Sequence, residues 1–224
     1  MPYAMNRDVR IFYQRHGSGP PLILHPAFSG WGGSWRDFGY TDPVGHDREL
    51  ILLDPRGQGA SDKSHDPAAY TFDQRVADVL AVLDHAGIAR AAFWGYSLGG
   101  HVGYAIRRYA PERFSALVIG GTHPFARDPE QGHRQAAALR VGGMEAWVAG
   151  FEAQVGRFPE PLRSGVLAND PEALAAVSIA SAAAPDFGDV LERIDVPVLL
   201  YMGECDPMYP RAREAARPSR ARGS

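Results

Sequence analysis

Apolar residues fall along the chain in short unbroken runs that alternate with longer stretches of helical spacing. Leu22-Ile23-Leu24 and Leu50-Ile51-Leu52-Leu53 are continuous, as strands buried on both faces should be. Residues 9–14 alternate apolar with polar and predict an edge strand, closed by Gly17-Ser18-Gly19-Pro20-Pro21. Over residues 72–85, Val76, Val79, Leu80 and Leu83 recur at helical spacing, and Gly87 stands where a glycine ends a helix. Ala91-Ala92-Phe93-Trp94 predicts a strand, residues 98–109 a helix stopped before Pro111, and residues 114–119 a further strand. That order implies an α/β fold, a mostly parallel sheet covered by helices on both faces.

Beyond residue 123 the pattern changes. Residues 124–185 are rich in alanine and glycine and show no strand signal. Residues 144–154 and 170–183 predict helices, the second with Asp170 as N-cap and Pro171 at the first helical position. Residues 196–202 then return to a continuous apolar run. The expected organisation is a core of residues 1–123 and 186–210, a small helical cap inserted at 124–185, and an Arg-rich tail at 211–224. No internal repeat interrupts it.

Composition narrows the function classes without choosing among them. The chain has 224 residues, enough for one sizeable core, and a net charge of −3. Such a balance argues for neither nucleic acid nor an anionic membrane as a partner. Its one cysteine, Cys205, excludes an internal disulfide and is expected to be a small buried residue. No signal-type apolar segment and no membrane-length apolar run occurs, so a soluble cytoplasmic protein is the expectation.

The chemistry centres on Gly95-Tyr96-Ser97-Leu98-Gly99, which fits G-x-S-x-G between a predicted strand and a predicted helix. A side chain at Gly95 or Gly99 would crowd the strand-to-helix turn that pushes the Ser97 hydroxyl to the sheet's edge. The same turn leaves the Leu98 N–H free at a helix N-terminus, where negative charge is stabilised.

Four blocks together resemble the α/β-hydrolases. They are His25-Pro26-Ala27-Phe28, the Asp54–Ser61 stretch DPRGQGAS, the serine elbow, and Gly203-Glu204-Cys205-Asp206, in the family's order. The first resembles a His-Gly-x-x oxyanion loop with Pro26 in place of glycine; the resemblance implies that Ala27 N–H is the second oxyanion donor beside Leu98. Proline lacks an N–H and cannot serve. His25 is read as shaping this loop. The second block is similar to D-x-R-G-x-G-x-S, in which Asp54 and Arg56 tie a glycine-rich loop. Asp206 matches the triad acid, whose task is to orient a histidine.

No histidine follows Asp206 in this sequence, whereas the family's order is serine, acid, histidine. Three readings stay open. The chain is a shortened, impaired serine hydrolase; or another histidine substitutes, His123 being the best placed; or it is a silent binding protein. His101, one turn after Ser97, is expected to pack on its own helix. The expected reaction is hydrolysis of a small carboxylic ester or lactone through a Ser97 acyl-enzyme, with C–C bond hydrolysis and cofactor-free haloperoxidation as alternatives. No metal or organic cofactor is expected, since no histidine–carboxylate cluster has ligand spacing.

Overall fold

The computed structural model describes residues 3–216. Strands β1 (Tyr3–Asn6), β2 (Val9–Gly17), β3 (Pro21–His25), β4 (Glu49–Leu53), β5 (Ala91–Tyr96), β6 (Phe114–Gly120) and β7 (Val198–Tyr201) form one sheet. Its order is β1-β2-β4-β3-β5-β6-β7. The β1–β2 and β2–β4 pairings are antiparallel, and every pairing from β4 to β7 is parallel. A parallel run puts all of its strand C-termini on one edge, which is where an α/β sheet presents its chemistry.

Residues 9–14 are not an edge strand, contrary to their alternation. β1 pairs outside β2, with Tyr3 opposite Phe12 and Asn6 opposite Val9. The chain reverses at Arg7-Asp8, and Arg7 takes the left-handed φ of 57° that a two-residue hairpin demands. At the other end of the sheet, β7 is the outer strand among the described residues, and Leu199 on it is exposed.

Helices α1 (Ser34–Asp37), α2 (Thr41–Gly45), α3 (Phe72–His85) and α4 (Leu98–Tyr109) cover the sheet. Strand alternation decides which side chains meet which helices. Ile23, Ile51, Leu53 and Phe93 join Val76, Val79 and Leu83 of α3 and Val102 and Ile106 of α4 in the main core. Leu22, Leu24, Leu50 and Leu52 point the other way, against Trp35 of α1, with Val44 of α2 and Trp94 beside them. Gly87, at a φ of 71°, ends α3 and lets the Ile88 N–H reach the Leu83 carbonyl.

The stretch after β6 is helical: α5 (Pro129–Val155), α6 (Leu162–Leu167) and α7 (Pro171–Ala182). α5 begins fifteen residues before the expected start at 144 and is broken at Gly143, whose φ of 63° is not helical. α7 starts as its sequence predicts: the Asp170 carboxylate accepts from the N–H groups of Glu172 and Ala173, and Pro171 follows. Leu139, Met144, Val148, Leu162, Val166 and Leu174 form a separate apolar cluster within this layer. α7 also lends Ala176 and Val177 to the main core, so it is buried on two sides. Helix α8 (Tyr209–Ala215) takes in the start of the Arg-rich tail, whose remainder lies outside the described residues. No helix among the described residues is long and apolar enough to cross a membrane.

Candidate active site

β5 runs straight into Ser97 and α4 runs straight out. Ser97 sits at φ 54° and ψ −109°, a strained conformation for a residue with a side chain. The turn is held from both ends: the Ser97 N–H donates to the Gly120 carbonyl at 2.8 Å, and its carbonyl accepts from His101 N–H at 3.0 Å. Neither flanking glycine could carry a β-carbon. At Gly95 it would strike the backbone of Gly99, and at Gly99 the backbone of His25.

His25 ends β3, and the chain then turns through Pro26, Ala27, Phe28, Ser29 and Gly30. Ser29 is left-handed at φ 63°, and the Gly30 N–H closes the turn on the Ala27 carbonyl at 3.1 Å. Among the described residues, the Ala27 and Leu98 N–H groups donate to no protein acceptor. Two unused donors therefore lie in the segments that meet at the elbow, one in the loop after β3 and one in the first turn of α4.

Asp206 follows β7. Because β5, β6 and β7 are parallel, it lies at the same edge of the sheet as Ser97. The Met208 N–H donates to its carboxylate at 2.8 Å. Burial pushes the phenol of Tyr96, next to the serine, upward, and the Asp206 carboxylate adds to that shift. Cys205, expected to be buried, is exposed: a loop after an outer strand has nothing packed over it.

The histidines near the elbow are all buried. The His25 ring faces the Pro26 carbonyl through Nδ1 at 3.0 Å and packs against Phe93. Burial lowers its pKa to about 4. His101 packs between Phe72 and Phe187, as a residue on the inner side of α4, and burial lowers its pKa too. His123 is lowered by burial and then by Arg127 and Arg211, and its ring lies beside Phe125. Among the described residues, no imidazole hydrogen-bonds to the side chain of Ser97 or Asp206. None carries a group of three or more metal-ligating side chains.

The glycine-rich block is built as expected at Asp54 and Arg56 and holds a residue that the sequence did not single out. Asp54 accepts from the N–H groups of Gly32 and Ala60, both at 2.7 Å, and Arg56 forms a buried bidentate pair with Asp78. Gln58, fully buried, reaches the Ala27–Gly30 turn. A glutamine among glycines carries no sequence signal of such a reach; only its partners reveal it. Two surface cavities, of about 150 and 420 Å³, open elsewhere, and Ser97 lines neither.

The sequence profile of the alpha/beta hydrolase fold matches residues 20–167, from β3 through the elbow to α6. The chain belongs to the alpha/beta hydrolase fold family. Among relatives of this α/β-hydrolase, the 3-oxoadipate enol-lactonase 2 of Acinetobacter baylyi is 31% identical over 168 residues, 71% of this chain and 62% of that protein. A 2-hydroxy-6-oxononadienedioate/2-hydroxy-6-oxononatrienedioate hydrolase of Paraburkholderia phymatum is 26% identical, over 91% of this chain and 77% of its own length. In structure, the enol-lactonase of Burkholderia xenovorans superposes with a TM-score of 0.85 at 25% identity, over 96% of this α/β-hydrolase and 86% of that chain. Across three curated relatives the matched region spans between 43% and 72% of their length, less than two-thirds in two of them.

Proposed function

We propose that this α/β-hydrolase cleaves a small carboxylic ester or lactone, with Ser97 as nucleophile. The observation that carries the reading is the strained Ser97 at the N-terminus of α4, beside the unused N–H of Leu98. The serine oxygen adds to the substrate carbonyl, and the charge that develops on the carbonyl oxygen is held by the Leu98 and Ala27 N–H groups. Collapse breaks the ester C–O bond: the leaving oxygen takes from water a proton to replace the one that the serine hydroxyl gave up to water, departs as the alcohol, and leaves an acyl-serine for water to cleave. Asp206 stands at the acid position, where its role is to orient an imidazole. The similarity to relatives named as enol-lactonases supports the substrate class.

With no imidazole hydrogen-bonded to Ser97 or Asp206 among the described residues, turnover by this chain is read as residual. A hydroxyl without a base is almost wholly un-ionised at neutral pH. Residues 124–185 are read as a cap over the C-terminal edge, because Phe28 and Trp31 beside the elbow pack into their apolar cluster. A relative named as a 2-hydroxy-6-oxononadienedioate hydrolase favours C–C bond cleavage as the second reading, which the same serine and donors could serve.

Hydrolysis of p-nitrophenyl acetate by the purified chain tests the proposal. The expected result is slow turnover, above the rate in buffer, that disappears in Ser97→Ala. Equal turnover by the two proteins would place the reactive group elsewhere.

A further inference from the structure

The turn that presents Ala27 N–H does not hold itself in place. It carries one internal hydrogen bond, from Gly30 N–H to the Ala27 carbonyl, and a non-glycine residue, Ser29, in the left-handed region. Such a conformation costs on the order of 1–3 kcal/mol and persists only where the surroundings impose it. What imposes it here comes from two directions.

From the core side comes Gln58. Its Oε1 accepts from the Ser29 N–H at 3.1 Å, while its Nε2 donates to the carbonyls of Gly30 at 2.7 Å and Ala27 at 3.1 Å. One buried side chain thus satisfies three backbone groups within four residues. From the helical layer comes Asn169, at the end of α6. Its Nδ2 donates to the Ser29 carbonyl at 2.9 Å and to the carbonyl of Val166 at 3.0 Å. The amide orientation is settled by its neighbours, since the reverse would set an oxygen against carbonyl oxygens. On either side of Ser29 the same layer grips again. The Phe28 ring meets Trp147 of α5 with centroids 5.6 Å apart, and the Trp31 ring occupies the space that a β-carbon on Gly165 of α6 would need.

We propose that Gln58 and Asn169 are positioning residues for the oxyanion hole, and that Asn169 makes its geometry depend on how the α5–α7 cap is seated. The proposal rests on the reading of Ala27 N–H as an oxyanion donor. With the cap docked, Ser29 is held from both sides and the Ala27 N–H is kept in the one position from which it serves as donor. With the cap displaced, the Asn169 and Trp147 contacts are lost, Gln58 alone remains, and the strained turn relaxes. Substrate contact with the cap would then assemble the hole only when the site is closed.

Three variants test this: Gln58→Met, which keeps the length of the side chain, Asn169→Leu, and Trp147→Ala, which loosens the turn from the cap side without touching a hydrogen bond. Two readouts are taken on the intact chain, amide hydrogen exchange and p-nitrophenyl acetate kinetics. The expected result is faster exchange in residues 26–34 with none in residues 91–109, and a kcat at least tenfold lower with KM within about twofold, since a full oxyanion donor is worth roughly 10²–10³ in kcat. Unchanged exchange in 26–34 overturns the clamp. Faster exchange with unchanged kcat overturns its link to the oxyanion hole. Exchange that rises equally in 91–109 marks general loosening and overturns the proposal as well. Loss of the functional reading has a different signature, namely wild-type hydrolysis that survives Ser97→Ala.

Discussion

Gly99 and His25 meet backbone to backbone: a β-carbon on Gly99 would stand 2.6 Å from the His25 Nδ1 and closer still to its carbonyl oxygen. The contact joins the first turn of α4 to the end of β3, the two segments that carry the unused N–H groups of Leu98 and, two residues past His25, of Ala27.

Gly99→Ala should therefore damage both fold and site. The opposing atoms are backbone of a central strand and cannot swing away. Overpacking of this kind costs about 1–3 kcal/mol, and for a chain of this size each kcal/mol lowers Tm by roughly 2–4 °C. Calorimetry should show a drop of several degrees, and ester hydrolysis should fall further than stability alone explains. An unchanged Tm would mean that β3 and α4 pack less tightly than described.

Stability should fall on mild acidification through His25. Burial lowers its pKa from 6.5 to about 4. Between those values the unfolded chain binds a proton that the folded one refuses, so stability rises with pH across the window. The contribution is complete above pH 6.5, is lost progressively as pH falls toward 4, and amounts to roughly 3 kcal/mol in all. Urea unfolding at pH 5 and pH 7.5 should differ less in His25→Gln than in the wild type; identical differences would assign the slope to other groups.

Asp78→Ala should be among the most destabilising substitutions. The buried Asp78 carboxylate takes both guanidinium contacts of Arg56 at 2.5 Å and a hydrogen bond from Asn6 at 2.8 Å. Removing it strands a buried cation, which costs about 3–5 kcal/mol. The urea midpoint measures this, and a shift worth less than 1 kcal/mol would show that water reaches Arg56.

Asp206→Asn separates a working triad from a residual one. An acid that acts only by orienting an imidazole contributes nothing where no imidazole is paired with it. The p-nitrophenyl acetate rate should change by less than about threefold, against roughly 10⁴ for the same change in a complete serine triad. A thousandfold loss would mean that a histidine does meet Asp206 in solution.

The apolar pattern located α3 by its helical spacing and β3 and β4 by the unbroken runs that a strand buried on both faces requires. It missed β1, whose four residues are too few to show a period, and the first half of α5, where alanine and glycine leave no stripe. It also took Cys205 for a core residue on its type alone, whereas its loop is open to solvent.

What the sequence by itself determined is local: the strand–serine–helix elbow, in which Gly95 faces the backbone of Gly99 four residues on, and the Asp170 cap of α7 with Pro171 behind it. What only the tertiary structure decided is how the Ala27–Gly30 turn is held. Gln58 lies 29 residues from Ser29 and Asn169 lies 140 residues from it. A hydrogen bond from a side-chain amide to a distant backbone group has no periodicity and no required spacing. It exists only once the sheet and the α5–α7 layer have brought the two segments into contact.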